Sequence, residues 1–193
     1  NSILALLETK DKTGEQLIWV ATEGNGLALL KGGKWTVFTK DNGLPSNAVR
    51  TLLEVPEKDG SRSIWIGTTN GVVKLVDDKW VSFDTSNGLP ENVVVTMTYT
   101  IDQNLEPVIW VGTAGGGLAY YQKSQWTSLK MADGLPSDTI YSLQPSRLGN
   151  EQFLWVGTTG GVCRLKIKND KFEWLFFSDA TTPSLPNNVI NQI

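Results

Sequence analysis

The sequence has no histidine, one cysteine and two methionines, and no apolar run approaches the ~20 residues that cross a bilayer. Each shortage removes a class of function. Without histidine there is no Ser-His or Cys-His couple for nucleophilic catalysis. With Cys163 the only thiol, a zinc site lacks ligands, and no metal or cofactor is expected. One cysteine cannot close an internal disulfide, so the fold stands without covalent staples. Cys163 reads as a small buried filler. Positive charge is short too: 17 Lys and Arg face 20 Asp and Glu, for a net −3. Nucleic acid and anionic membrane are therefore poor partners for this segment. No window carries a helical period. The chain starts at Asn1 with no leader, and reads as a cut made within a longer gene product.

What the chain has is tryptophan, glycine and repetition. The strings IWVAT, IWIGT, IWVGT and LWVGT centre on Trp19, Trp65, Trp110 and Trp155, spaced 46, 45 and 45 residues apart. A second tryptophan follows each: Trp35, Trp80, Trp126 and Trp174. A Leu-Pro corner then comes at Pro45, Pro90, Pro136 and Pro186. Three markers in one order at one period define four repeats of about 45 residues: 1–46, 47–91, 92–137 and 138–187. The residues after 187 align with the first strand of a fifth.

Within a repeat the pattern is all β. A short strand A (49–54) follows the Leu-Pro corner, and a polar loop leads to the Trp-centred strand B (64–68). Glycine turns the chain into strand C (72–76), and a tight Asp77-Asp78 turn leads to strand D (79–83). Short β-branched and aromatic runs between Gly, Asn and Asp turns are strand and hairpin signals. Four antiparallel strands per ~45-residue unit form a β-propeller blade. One blade cannot bury both its faces, so blades stack, and repeated Trp, Leu and Val fill the seams. Four repeats plus one extra strand A predict an arc of a larger propeller, or a ring completed by a second copy.

These strands resemble the two-component-regulator propeller repeat of bacterial hybrid histidine kinases. The [IL]-W-[VI]-[AG]-T strands carry the likeness, with the following Gly-Leu or Gly-Val pair and the G-L-P corner. The resemblance implies a periplasmic or extracellular, non-catalytic sensor segment. An oligosaccharide or other small ligand is the partner class it implies, beside neighbouring blades or another copy of the chain.

In a repeat array, shared residues hold the fold, and function sits where the symmetry breaks. The B–C turn is one residue longer in repeats one and three. Repeat four is longer between strands C and D and between strand D and the next A. The second residue of strand A runs Leu4, Arg50, Val95, Tyr141. In a propeller, strand A lines the central channel, and the D–A and B–C loops share one face. Arg50 and Tyr141 are therefore expected at the channel mouth, with Glu23 and Asn25 at its rim. These four are the candidate ligand residues, against the plainer reading of ordinary channel and surface positions.

Other motifs read as structure. Gly32-Gly33-Lys34 is followed by Trp35, not Ser or Thr, so it is no Walker loop. Asp102 to Glu106 has the spacing of a calcium loop but carries Pro107 where glycine is required. The eight tryptophans recur in register, which is core behaviour. Two further functions stand as alternatives: a protein-docking scaffold, and a polysaccharide lyase or hydrolase built on paired carboxylates.

Overall fold

The computed structural model describes residues 2–168, 171–181 and 184–192. It contains four antiparallel sheets of four strands, each meandering in sequence order. Blade one is β1 (Ile3–Lys10), β2 (Gln16–Thr22), β3 (Leu27–Lys31) and β4 (Lys34–Phe38). Blade two is β5 (Val49–Pro56), β6 (Arg62–Thr68), β7 (Gly71–Val76) and β8 (Lys79–Phe83). Blade three is β9 (Val94–Ile101), β10 (Pro107–Thr113), β11 (Leu118–Gln122) and β12 (Gln125–Leu129). Blade four is β13 (Ile140–Leu148), β14 (Glu151–Thr158), β15 (Gly161–Lys168) and β16 (Lys171–Phe177). The expected strand order holds in every blade. Strands A and B run a few residues further into the A–B loop than the sequence pattern shows.

Each blade presents one face to the blade before it and one to the blade after. Pairing of Trp65 with Leu53 and Lys74 puts those three on one face of blade two, and Ile64, Ile66 and Val73 on the other. Three apolar clusters result, one per seam. Trp19, Trp65 and Trp110 point into the following blade, and Trp65 and Trp110 are each only 1% exposed. Such an indole removes roughly 150–250 Å² from water, worth about 4–6 kcal/mol before entropy is counted. The indole N–H is not left unpaired: those of Trp19, Trp65 and Trp110 donate to the hydroxyls of Thr9, Ser63 and Thr100.

The glycine of the IWIGT strands exists for the next blade. A Cβ on Gly112 would sit 2.6 Å from Cγ2 of Ile140, and one on Gly67 would sit 2.7 Å from Cγ1 of Val94. These are the first residues of the following innermost strands. Blade one carries Ala21 there, fully buried beside Val49, so that seam alone takes a methyl group.

The corner between blades is more than a turn. Residues Lys40–Asn42, Thr85–Asn87 and Met131–Asp133 form single turns of 3-10 helix, which the sequence pattern did not reveal. Leu44, Leu89 and Leu135 then plug the seams, as their place in the motif predicts. The side chain of Asn47 reaches back and accepts the Lys40 N–H at 2.8 Å. Asn92, Asp138 and Asn188 do the same for Thr85, Met131 and Asp179. The second tryptophan lies on the corner of the preceding blade: Trp80, Trp126 and Trp174 cover Gly43, Gly88 and Gly134.

The blades form an arc. β1 packs on β5, β5 on β9 and β9 on β13, and no comparable packing returns β13 to β1. Both outer faces are consequently bare. On blade one Trp35 is 58% exposed, with Leu6 and Val37 exposed beside it. On blade four Trp155 is half-buried under Phe177 and Leu175 is exposed. The expected fifth strand A is a partial echo. Ile190 donates its N–H to Thr158 O at 3.0 Å and packs on Gly157 as Ile140 does on Gly112. Residues 188–192 belong to no named strand, and Asn1 and Ile193 lie outside the described residues, as do parts of both longer loops of repeat four.

Two outcomes follow from this packing. Gly112→Val should cost about 1–3 kcal/mol, read as a lowered denaturant midpoint, because the seam has no room for the side chain. The 193-residue chain should self-associate in sedimentation velocity, and Trp35→Arg should shift it toward monomer. A compact monomer at every concentration would contradict the open arc.

Candidate functional site

The first residue of strand A is paired, and the second is not. In blade one the register passes from Ile3 to Ala5, in blade two from Val49 to Thr51, and in blade four from Ile140 to Ser142. In blade three it passes from Val94 to Thr96. The skipped residues are Leu4, Arg50, Val95 and Tyr141. The position that varies between repeats is thus a β-bulge in all four blades. A bulge leaves its residue out of the ladder and re-aims its side chain, so identity there is not dictated by pairing. Arg50 is exposed, Leu4 and Tyr141 are 42% and 36% exposed, and Val95 is half-buried.

Glu23 and Asn25 sit in the longer B–C turn of blade one, and both side chains are exposed. The turn is held by the Thr of the motif. Thr22 Oγ1 donates to Gly26 O at 2.7 Å and accepts the Asn25 N–H at 3.0 Å. Thr68, Thr113 and Thr158 make the same donation in their blades. The Glu23 N–H donates to Ser2 O, which brings this turn beside the start of β1.

The four candidates share one end of the arc. B–C turns and D–A corners meet there: the N–H groups of Gly26, Gly71 and Gly117 donate to the carbonyls of Asn47, Asn92 and Asp138 in the next blade, at 2.7–2.8 Å. They are not one cluster. Arg50 lies on β5 and Tyr141 on β13, with β9 and its Val95 between them. Glu23 and Asn25 belong to the blade on the other side of Arg50.

Cavities open at the opposite end, which the sequence reading did not single out. There the A–B loops and C–D turns leave a wedge at each seam. Lys12 bridges the first wedge to Asp77 at 2.6 Å, and Lys58 bridges the second to Glu106 at 2.8 Å. The third holds about 280 Å³ between blades three and four. None of these three cavities is lined by Arg50, Tyr141, Glu23 or Asn25.

Two aspartates of this end, Asp11 and Asp102, are turn acceptors. Asp11 takes an ion pair from Lys31 at 2.7 Å and hydrogen bonds from Thr13, which hold its carboxyl well below the usual carboxylate range. In Asp102, burial opposes ionisation, but the amides of Glu106 and Asn104 and the Gln122 side chain outweigh it and keep the pKa low. The calcium-like loop at Asp102 is therefore a hydrogen-bonded hairpin turn. Among the described residues no three His, Cys, Asp or Glu side chains gather as a metal site. Cys163 is fully buried, and burial pushes its thiol up to about 12, as suits a core filler.

No family model and no curated protein matches the chain. Solved structures do. The extracellular domain assigned to the hybrid two-component system BT4673 of B. thetaiotaomicron aligns over 91% of this chain at TM-score 0.64 and 23% identity. That assigned to BT3049 of the same organism aligns over 96% at TM-score 0.52 and 22% identity. A thermostable family-43 glycoside hydrolase aligns over 93% at TM-score 0.54 with 8% identity. The chain spans 23% of the length of the first and 29% of the second. At these identities the likeness shows the fold, and the fold is an arc of β-propeller blades.

Proposed function

We propose that the chain is a non-catalytic segment of a sensor propeller in a bacterial two-component signalling protein, placed outside the cytoplasm. Further blades, of a longer chain or of another copy, continue the arc and cover the bare faces of blades one and four. A small ligand, with oligosaccharide as the leading class, meets the segment at the channel mouth through Arg50, Tyr141, Glu23 and Asn25. One observation carries the assignment of that face: at the channel-mouth end of the inner strand, the residue that changes character between near-constant neighbours is a bulge in all four blades. A fold built on register gives up pairing at the same place each time and spends that place on an arginine and a tyrosine.

The likeness to the two extracellular sensor domains supports the signalling role. Four aspartates are set against the acid's part in a hydrolase. A glycosidase acid must be held protonated by a raised pKa. Asp11, Asp59, Asp84 and Asp102 are shifted the other way, each holding turn amides. A docking scaffold draws some support from the exposed Trp35 and Val37, but those residues are placed to receive a blade.

The test is the double variant Arg50→Ala with Tyr141→Ala. Bulge side chains outside the core should leave the thermal midpoint within about 2 °C of the parent, since surface changes stay near ±0.5 kcal/mol. In a reporter strain carrying the whole receptor, the ligand response should fall at least tenfold. Loss of folding would return both residues to the core. An unchanged response in a folded variant would remove the channel mouth as the site.

A further inference from the structure

The third seam cavity differs from the other two in ways that a packing wedge does not require. Seven residues before the strand-B tryptophan, blades one and two carry Lys12 and Lys58, the residues that bridge their seams. Blade three carries Gln103 at that position. Blade four then supplies an extended wall. β15 and β16 have eight and seven residues where β11 and β12 have five each. The extra length adds the pair Ile167 and Phe172, both half-buried. Phe172 meets Trp110 and Tyr120 edge-on, with centroids 5.9 and 5.6 Å apart.

Amides are the largest group in the lining that results. Amide side chains of Gln103, Asn104, Gln122, Asn150 and Gln152 surround a floor whose accessible rings are Tyr120 and Phe172. Gln122 is set in place by its 3.1 Å bond to Asp102 Oδ2. Amides donate and accept, as hydroxyl groups do, so a ring of them matches a ring of hydroxyls. The half-buried aromatic faces suit the C–H face of the same ligand. Asp102, Arg147 and Lys123 also line the cavity, and hydroxyl groups can donate to the first and accept from the other two. A volume of about 280 Å³ lies at the lower end of small-molecule sites, the size for a single ring.

We propose that the cavity between blades three and four binds a polyhydroxylated ring, a pyranose or a cyclic polyol. This site is separate from the channel mouth and lies on the opposite end of the blades. Among the described residues both walls belong to this chain, to blades three and four. Substitution of a bridging lysine by glutamine and a lengthened hairpin act together: one removes the strut, the other builds the wall.

The experiment is saturation-transfer NMR on the 193-residue chain with glucose, galactose, mannose, xylose and myo-inositol, each titrated alone. At least one should show saturable transfer with a millimolar Kd. Gln103→Lys, which restores the residue of the other two seams, should weaken it at least tenfold, and Gln152→Ala should weaken it independently. Both side chains reach solvent, and an unchanged circular dichroism melt confirms that the variants fold. Absence of saturable transfer from all five below roughly 50 mM overturns the proposal. So does binding that survives both substitutions. Binding lost in the Arg50→Ala, Tyr141→Ala double variant but kept in Gln103→Lys assigns the ring to the channel mouth, and overturns this site without touching the sensor reading.

Discussion

Everything in this chain depends on how one blade is handed to the next, and that hand-over is made by one position, an Asn or Asp three residues after the corner leucine. Asn47, Asn92 and Asp138 each work in two directions. The side chain accepts a backbone N–H at the start of the preceding 3-10 turn, which closes the corner. The main-chain carbonyl accepts the glycine N–H of the B–C turn in the blade before. The corner is thereby locked to itself and to its neighbour. The leucine three residues upstream is driven into the seam, and the aliphatic residue two positions downstream lands on Ala21, Gly67 or Gly112 of the blade before. A propeller must place each blade at a repeated angle to the last, and rigid corners set that angle more firmly than apolar contact alone, which is non-directional.

The same logic explains the bare ends. Each inner blade surface is half of a seam, and the halves are not alike: the forward face carries the strand-B tryptophan, the rear face the strand-D tryptophan. Trp35 and Trp155 are the two that find no partner, one at each end. Trp35 has no corner glycine to cover. Trp155 stacks on Phe177 and lies under Arg164, both of its own blade. An arc of this kind is stable in its three seams and incomplete at its two faces.

The repeat, the four strands per blade, the plugging role of Leu44 and its copies, and the packing role of Trp65 and Trp110 were legible in the sequence because each recurs at fixed spacing. What did not recur in a visible pattern was missed. The 3-10 turns are three residues long and carry no period. The bulge at Arg50 and Tyr141 is a mismatch of count between two strands, so no single strand shows it. The sequence did mark the place, as the one variable position among constant neighbours, but not the reason. The third seam cavity needs two facts from different repeats, Gln103 in place of lysine and the long hairpin of repeat four, and only the stacking of the blades brings them together. The last strand A was expected whole, and is seen only as Ile190 docked on Gly157.

The claim that corners hold the blades in register is tested most directly by amide hydrogen exchange at Gly71 and Gly117. Gly71 opens β7 and Gly117 directly precedes β11, and the N–H of each donates out of its own blade to the next. If their N–H groups are tied to Asn92 and Asp138 of the next blade, both should exchange as slowly as the strand amides of Ile66 and Val111. Exchange at the rate of an open turn, with those strand amides still protected, would mean that the blades are held by apolar contact alone, and would contradict the account.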